Sequence, residues 1–270
     1  MRRLASLAMY RDPPVIAEAT RELWTYVGGR LRAAGLADVP EALDEGLAHD
    51  AAWRDPRLLL AQTCGYPFMT QLRGQVRMVA TPVYDDPGCK GALNGSFVIV
   101  QANTAIASVD QLRGSVAAIN DRASNSGMNL LRHTVAPHAV DRHFFAQVLE
   151  SGSHRASLAL VAQGKADVAA IDCVTFGNLA RFAPELVAGV RILTETAKTP
   201  GLPLITRAGA SEDEVAMLRT ALNDLANDPA AAPLRAALGL KGFTVLAESA
   251  YDAVLELERD AVAMGYPALA

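Results

Sequence analysis

The 270-residue chain is too long for a minimal module and has the length of one large domain or of two lobes, since a domain usually spans ~100–200 residues. Hydrophobic residues make up 51% of the chain and charged residues 20%, which fits a folded α/β protein with a sizeable core and excludes a disordered chain. The net charge of −4 argues against nucleic acid as a partner, because binding to a phosphate backbone needs clustered lysine and arginine. A small anion is still compatible with this charge, since backbone amides and hydroxyls can hold negative charge locally.

The N-terminal segment imitates a signal peptide, but we interpret it as a strand. Met1-Arg2-Arg3 precedes the apolar stretch Leu4–Tyr10, and Arg11–Pro14 ends that stretch at about the lower limit for the apolar region of a signal peptide. No apolar run approaches the ~20 residues of a membrane helix, so the chain as given is expected to be soluble. We expect the protein in the periplasm if a leader precedes this sequence, and in the cytoplasm otherwise.

Strands and helices alternate in the first part of the chain. The predicted elements are, in order, a strand over Leu4–Met9, a helix from Pro13 that Gly28-Gly29 is expected to kink or end, a strand over Arg57–Gln62, a short helix over Met69–Leu72 and a strand over Val76–Thr81. This rhythm implies a parallel sheet, and such sheets bind ligands at the carboxyl ends of their strands.

A composition shift between Pro82 and Gly95 to proline, glycine and polar residues indicates a crossover to a second lobe. The elements predicted after it are a strand over Ser96–Gln101, a helix over Val109–Leu112, a strand over Ser115–Ile119, a helix over Ser126–His133, a strand over Phe144–Leu149, a helix over His154–Ala162 and a strand over Val168–Ile171.

A return to the first lobe is predicted near Arg191–Glu195 and Leu202–Thr206, followed by helices over Glu212–Leu238 and Ser249–Met264 that are expected to pack on that lobe. The predicted domains are therefore residues 1–88 with 200–270 for lobe I, and residues 89–199 for lobe II.

A strand end, a small polar loop and a helix start follow one another around residue 124. Ser124 or Asn125 is expected at the N-cap, which leaves the amides of Ser126, Gly127 and Met128 free beside two hydroxyls. Free amides at a helix start attract anions, and a glycine lets the backbone approach a ligand closely. The stretch predicts an anion cradle, and the simpler interpretation is a capped helix start without a ligand.

Two further polar positions follow the same logic. His154 begins a helix after Ser153 and can donate to an anion, although Ser153 as a plain cap beside a surface histidine explains the pattern equally simply. Asp172 follows the strand Val168–Ile171, where open α/β sheets bind ligands, and it is equally plausible as the cap of the next helix.

Cysteine and histidine patterns indicate no metal or redox centre. Cys64, Cys89 and Cys173 are far apart and odd in number, which disfavours a disulfide framework or a CxxC site, while one bridge stays conceivable. The histidines between residues 133 and 143 are interrupted by Pro137 and are interpreted as polar loop groups. No glycine-rich phosphate loop is present, so no nucleotide cofactor is indicated.

The ordered combination of motifs resembles the phosphate/phosphite/phosphonate substrate-binding proteins of ABC transporters, over most of residues 4–206. The matching segments are Met9-Tyr10, Cys64–Pro67, Thr81–Tyr84, Leu112–Gly114, Ser124–Gly127, Gly152–Ser157 and Ala166–Asp172. The resemblance implies a two-lobed, type II periplasmic-binding-protein fold of class α/β. In that fold, each lobe is a mostly parallel sheet flanked by helices, with the ligand cleft between the lobes.

The resemblance also implies the ligand-binding residues. The implied contacts are Tyr10, Tyr66 and Tyr84 from the first lobe, and Ser124, Asn125, Ser126, Gly127, His154 and Asp172 from the second. Tyrosine suits this task because its ring covers the apolar part of a ligand while its hydroxyl bonds an oxygen or amine. Asp172 cannot pair with a fully ionised anion, so it is expected to accept a proton from a P–OH or an ammonium group of the ligand.

The implied function is capture of a small phosphorus oxyanion, namely a phosphonate, phosphite or phosphate, for ABC-type uptake. The expected protein is a monomer without cofactor, metal or catalytic activity, whose partners are the oxyanion and an ABC transporter permease. A cytosolic ligand sensor of the same fold is one alternative. A Ser-His-Asp hydrolase built from Ser124 or Ser126 with His154 and Asp172 is a weaker one, because no GxSxG turn is present.

Overall fold

The structure, a computed structural model, describes residues 3–270, so that Met1 and Arg2, at the start of the leader-like segment and of the first predicted lobe, lie outside the described residues. The chain separates into two compact units. The first unit comprises the chain up to Asp85 together with Gly201–Ala250, and the second comprises Asp86–Pro200 together with Tyr251–Ala270.

The strands in chain order are β1 (Leu4–Ser6), β2 (Leu58–Gln62), β3 (Val76–Tyr84), β4 (Cys89–Lys90), β5 (Leu93–Asn94), β6 (Ser96–Gln101), β7 (Val116–Ile119), β8 (Gln147–Glu150), β9 (Val168–Asp172), β10 (Val190–Glu195), β11 (Thr199–Pro200), β12 (Leu204–Arg207) and β13 (Leu240–Thr244). The helices are α1 (Pro14–Ala33), α2 (His49–Arg54), α3 (Gly65–Pro67), α4 (Leu130–Val135), α5 (His154–Ala162), α6 (Cys173–Phe182), α7 (Pro184–Val187), α8 (Glu212–Asn227), α9 (Ala232–Leu238) and α10 (Asp252–Ala263). Short π-helical turns cover Phe68–Leu72 and Asn125–Asn129, and short 3₁₀ turns cover Asp110–Leu112, Ala136–His138, Pro229–Ala231 and Glu248–Tyr251.

The sheet of the first unit has the strand order β1-β2-β12-β3-β13. Strand β1 pairs in parallel with β2, while β12 runs antiparallel between β2 and β3. Leu58, Leu59 and Leu60 of β2 are fully buried, as expected for a strand covered on both faces. Since β1, β2 and β3 run in one direction, the loops that follow them lie at the same edge of this sheet.

The main sheet of the second unit has the order β10-β6-β9-β7-β8. Strand β7 pairs in parallel with β8 and β9, and β6 runs antiparallel to β9 and β10. A small antiparallel sheet, β11-β5-β4, belongs to the same unit. The carboxyl ends of β7, β8 and β9 therefore meet at one edge, which carries the three polar motifs singled out in the sequence.

Both large sheets are mixed rather than mostly parallel, which corrects the sequence prediction. In the first unit β12 enters between β2 and β3 in the opposite direction, and in the second unit β6 does the same between β9 and β10. These are strands close to the crossovers between the units. A buried apolar run such as Ser96–Gln101 predicts a strand, but its pattern carries no information about strand direction.

The C-terminal segment corrects the predicted domain division, because residues 251–270 belong to the second unit and not to the first. Helix α10 packs against α4. Asn129 Nδ2 donates to the carbonyl of Val254 at 3.0 Å, and Arg132 bonds the carbonyl of Pro267 and approaches Glu258. The residues that hold this segment, Asn129 and Arg132, thus follow the predicted cradle directly and lie 125 and 135 positions before the carbonyls they bond. No local sequence pattern links residues so far apart.

Two helix predictions also change in the structure. Helix α1 continues through Gly28-Gly29 to Ala33, and Gly28 packs against the buried Trp24. The long helix predicted over Glu212–Leu238 is broken into α8 and α9, because Asp228 leaves the helical conformation and accepts from the amide of Ala230. Among residues 3–270, no helix combines the length and apolarity that crossing a bilayer requires.

Candidate functional site

The loop after β7 forms a capped helix start in the second unit. Ser124 has an extended backbone, and its Oγ accepts a hydrogen bond from the amide of Gly127 at 2.9 Å. The prediction that the Gly127 amide is free is therefore wrong, because the cap occupies it. The amides of Ser126 and Met128 lie in the first turn, where a helix supplies no acceptor of its own.

Gly127 is required by its neighbours rather than by its backbone conformation. A Cβ atom at this position would lie 1.8 Å from Oδ1 of Asn120 and 3.3 Å from Cε1 of His154. Oδ1 of Asn120 is buried and has no hydrogen-bond partner among the described residues. The helix start, the β7 loop and the histidine therefore converge on one small volume with an unsatisfied acceptor beside it.

Ser126 and His154 form the central contact of the site. Ser126 Oγ lies 2.9 Å from His154 Nε2, although the two residues belong to different helices. The loops after β7 and β8 are joined by backbone bonds from Ser151 to Ile119 and from Gly152 to Asn120. His154 begins α5, where Ser153 Oγ accepts from the amide of Ala156, so the capping role considered for Ser153 is also present.

Burial keeps the His154 ring neutral. Desolvation lowers the pKa of His154 to about 4, and the backbone of Ala170 opposes this shift. The Ala170 contact is weak, because Nδ1 is buried without a hydrogen bond of good geometry to any described residue. At neutral pH the ring therefore contributes a hydrogen-bonding group rather than a positive charge.

The Asn125 side chain belongs to a buried network. Its Nδ2 donates to Thr199 Oγ1 at 2.9 Å, and its Oδ1 accepts from Asn129 Nδ2 at 3.0 Å. Asn129 in turn bonds the carbonyl of Val254 in α10. Asn125 thus fastens the helix start to β11 and, through Asn129, to the C-terminal helix.

Asp172 caps helix α6 at the end of β9. Its Oδ1 accepts from the amides of Val174 and Thr175, both at 3.0 Å, and the residue is 2% exposed. Nδ1 of His154 makes no hydrogen bond of good geometry to a carboxylate of the described residues, so Asp172 does not orient the imidazole. Ser126, His154 and Asp172 consequently do not assemble as a catalytic triad, which requires the carboxylate on that nitrogen.

The three tyrosines singled out in the sequence follow the strands that share the carboxyl edge of the first sheet. Tyr10 lies in the loop after β1, Tyr66 in the turn after β2 and Tyr84 at the end of β3. The rings of Tyr10 and Tyr84 contact each other edge to face, with centroids 5.6 Å apart at 83°. Tyr10 is buried, and Tyr66 and Tyr84 are half-buried. Arg11, next to Tyr10, pairs with Glu45 at 3.1 Å.

Comparison with known families decides what kind of protein carries these features. Residues 8–251 match the family described as ABC transporter, phosphonate, periplasmic substrate-binding protein. The chain belongs to this family of phosphonate-binding periplasmic proteins. The family resemblance predicted from the sequence is therefore confirmed, and the chain is a solute-binding protein. No curated protein sequence matches it.

Solved structures similar to this binding protein span nearly the whole chain. XAC2383 from Xanthomonas citri, bound to chloride, is 22% identical with a TM-score of 0.70, covering 97% of this chain and 98% of its own. A binding protein component of an ABC phosphonate transporter from Pseudomonas aeruginosa (PA3383) is 16% identical with a TM-score of 0.77, covering 98% and 87%. PhnD1 from Prochlorococcus marinus, in complex with methylphosphonate, is 15% identical with a TM-score of 0.75, covering 96% and 97%. At these identities the likeness establishes the fold, which is that of type II periplasmic binding proteins, as predicted.

Sequence reasoning missed two polar residues of this binding protein. Asn94 is 5% exposed, and neither its Oδ1 nor its Nδ2 has a hydrogen-bond partner among the described residues. Asn94 is the register partner of Thr199, whose hydroxyl accepts a hydrogen bond from Asn125 at the helix start. Asn94 is therefore linked to the helix start through one residue. Ser96, the register partner of Asp172, also has a buried hydroxyl without a partner among residues 3–270. No sequence signal marks Asn94, because a two-residue strand has no periodicity. Ser96 begins a strand that the sequence did predict, but a strand pattern does not mark its first residue as part of a site.

Proposed function

We propose that this solute-binding protein captures a small phosphorus oxyanion at the carboxyl edge of the sheet in its second unit. The observation that carries the proposal is the Ser126–His154 contact beside Gly127, in a member of the phosphonate-binding family. Hydroxyls of Ser124 and Ser126 and the first-turn amides supply donors, and the helix start adds a favourable dipole. Asn125 contributes its backbone amide.

The protonation state of His154 is expected to change when the ligand binds. An anion beside His154 favours the protonated ring, so binding is expected to raise the His154 pKa from about 4 toward its ordinary value. Linkage then requires that the complex take up a proton when it forms at mildly acidic pH. Ser126 Oγ is free to rotate from the ring toward the anion, since a hydroxyl can donate to one group and accept from another.

Specificity among phosphorus oxyanions is assigned to groups beside the cradle. The carboxylate of Asp172, at the end of β9, is the proposed acceptor for a P–OH or an ammonium group of the ligand. The amide of Asn94 supplies both a donor and an acceptor, which suits a phosphonate or phosphate oxygen and its proton. Tyr10, Tyr66 and Tyr84 are the proposed contribution of the first unit, where their rings contact the organic substituent.

We further propose that the protein is a monomer without catalytic activity, that it works in the periplasm and that it delivers its ligand to an ABC transporter permease. A histidine whose pKa is about 4 is a poor general base at neutral pH. The unassembled triad supports the same conclusion. The family to which the chain belongs supports the periplasm and the permease.

A thermal-shift screen tests the proposal. The purified chain is heated with phosphate, phosphite, methylphosphonate, 2-aminoethylphosphonate or sulfate, because a ligand at ~100 times its dissociation constant stabilises the folded state by ~2.7 kcal/mol. We expect a shift with at least one phosphorus oxyanion and its loss in Ser126→Ala and His154→Ala. No shift with any of them, or a shift that both variants retain, would contradict the proposed site.

A further inference from the structure

Two of the three cysteines meet in the second unit. Cys89 lies in β4 and Cys173 begins α6, so that they are 84 positions apart in the chain, yet their sulfur atoms are 3.4 Å apart. Both are free thiols, and Cys173 is buried while Cys89 is half-buried. Cys64 lies in the first unit. The sequence spacing gave no reason to pair Cys89 with Cys173.

The backbone around both cysteines is fixed by the fold, so the contact is not an accident of two flexible side chains. The amide of Cys173 donates to the carbonyl of Gly95, and the amide of Gly95 donates to the carbonyl of Gly88. Gly88 has a φ of +89°, and a Cβ atom there would lie 2.7 Å from Cβ of Cys173. The main chain preceding Cys89 therefore runs directly against Cys173, which leaves no room for a side chain between them.

We propose that Cys89 and Cys173 form an intramolecular disulfide when the protein meets an oxidising disulfide, so that this chain carries a covalent bridge beside its ligand site. The sulfur atoms must approach by roughly 1.4 Å to reach the ~2.04 Å bond of a cystine. Rotation of the half-buried Cys89 side chain can supply most of this movement while the backbone stays in place. The periplasm, where the family is placed, is a compartment in which disulfides form and persist.

The reaction is two thiol–disulfide exchanges. The Cys89 thiolate attacks one sulfur of an external disulfide, forming a mixed disulfide and releasing one thiol of the oxidant. Cys173 then loses its proton and attacks the Cys89 sulfur, which forms the bridge and releases the second thiol. Two protein thiols are oxidised, and one external disulfide is reduced to two thiols.

Cys89 is the entry point for this reaction. A hydrogen bond with Cys89, burial and the charge of Asp172 all raise the pKa of Cys173 above its ordinary value. Cys173 therefore stays protonated while the more exposed Cys89 reacts with the oxidant. When Cys89 reacts first, the mixed disulfide does not persist, because the Cys173 sulfur is already in contact with the Cys89 sulfur that it must attack.

The bridge joins two parts of the candidate site. Cys89 is the register partner of Asn94, whose amide is unpartnered among the described residues, and Cys173 follows Asp172 directly. A covalent bond between them fastens the β4–β5 hairpin to the start of α6. The oxidised protein is therefore expected to unfold at a higher temperature than the reduced one, since a disulfide restricts the unfolded chain.

The test uses the full chain equilibrated with glutathione disulfide, followed by unfolding, alkylation of free thiols and intact-mass measurement. We expect the wild type and Cys64→Ser to lose two hydrogens and two alkylatable thiols, and to gain several degrees in Tm. Cys89→Ala is expected to show neither change, whereas Cys173→Ser is expected to keep a glutathione adduct on Cys89 without forming a bridge. Cys89→Ala keeps the test valid if the buried Cys173→Ser fails to fold. In the wild type, three alkylatable thiols after oxidation, a persistent glutathione adduct or a bridge that uses Cys64 would each overturn the proposal. Ligand binding does not enter this readout, so its failure is distinguishable from failure of the proposed function.

Discussion

The carboxyl edges of the two large sheets carry opposite kinds of chemistry. In the first unit the edge presents aromatic rings, with Tyr10 and Tyr84 in edge-to-face contact. In the second unit it presents hydroxyl, amide and imidazole groups, with Ser126 bonded to His154. Both edges are built in the same way, from loops that follow strands running in one direction. The difference in chemistry therefore lies in the loop residues and not in the architecture.

In the proposed site, the second unit recognises the charge of the ligand and the first unit recognises its substituent. Directed donors around a helix start hold an oxyanion whatever its substituent, because they bond its oxygens. Aromatic rings respond to the bulk and polarity of the substituent and add little for a bare anion. Changes at the second unit should thus affect every phosphorus oxyanion, whereas changes at the first unit should alter the ranking among them.

The largest expected effect is that of Gly127→Ala. The new methyl would meet Asn120 Oδ1 at 1.8 Å, so the helix start or the β7 loop must shift. We expect the affinity for the ligand to fall by at least about 100-fold, since each lost charge-assisted hydrogen bond is worth ~1.5–3 kcal/mol. Overpacking is also expected to lower the free energy of unfolding by ~1–3 kcal/mol.

Gly29→Ala is the matched control for that variant. A Cβ at position 29 meets nothing within 4 Å in helix α1 of the first unit, so the exchange should leave binding unchanged and stability equal or slightly higher. Calorimetric titration and urea unfolding of both variants give the two readouts. Unchanged affinity in Gly127→Ala would place the ligand elsewhere.

Ser124→Ala separates capping from binding. Ser124 and Ser211 are both N-cap serines that accept from an amide three residues later, in different units. Loss of either cap should cost ~1 kcal/mol of stability. Only Ser124→Ala should also weaken binding, by roughly tenfold for one lost donor. Equal affinities in Ser124→Ala and Ser211→Ala would show that Ser124 is a cap alone.

The pH dependence of stability tests the buried imidazole. The pKa of His154 is lowered from 6.5 to about 4 in the folded protein, so between these values the unfolded chain binds a proton that the folded chain does not. The contribution of the neutral imidazole to the free energy of unfolding should therefore be fully present above pH 6.5. It should decrease as the pH falls toward 4, by up to ~3 kcal/mol. His154→Gln should flatten this slope in urea unfolding, whereas the exposed His143→Gln should leave it in place. A wild-type slope that survives His154→Gln would contradict the assignment.

The smallest effect is expected at the aromatic edge. Tyr84→Leu removes the ring that contacts Tyr10, and an aromatic pair is worth ~0.5–1.5 kcal/mol beyond its buried area. We expect methylphosphonate affinity to fall by roughly two- to tenfold and phosphite affinity to change less. Tyr26→Leu, remote in helix α1, should change neither. Equal losses of affinity for both ligands in Tyr84→Leu would contradict the proposal that the aromatic edge recognises the substituent of the ligand.

The sequence predicted those parts of the structure that depend on local pattern. Strand Ser96–Gln101 and helix His154–Ala162 have the predicted bounds, because their periodicity and caps are continuous over several residues. The cap at Ser124 was also within reach, since a serine before a helical run has a local role.

The features that the sequence did not predict depend on contacts between residues that are distant in the chain. The direction of β12 and the attachment of α10 through Asn129 are set by distant partners that no local pattern reveals. Only the pairing of Asn94 with Thr199, 105 positions later in the chain, shows that Asn94 lies near the candidate site. The contact between Cys89 and Cys173 likewise required the fold.

The most direct test of the central claim is a calorimetric titration of the wild type and of Ser126→Ala with methylphosphonate, phosphite and phosphate at neutral pH. The account predicts saturable one-to-one binding of at least one of these ligands, weakened about tenfold or more by the single substitution. Absence of saturable binding for all of them, or equal affinity in Ser126→Ala, would contradict the claim that the second unit holds a phosphorus oxyanion.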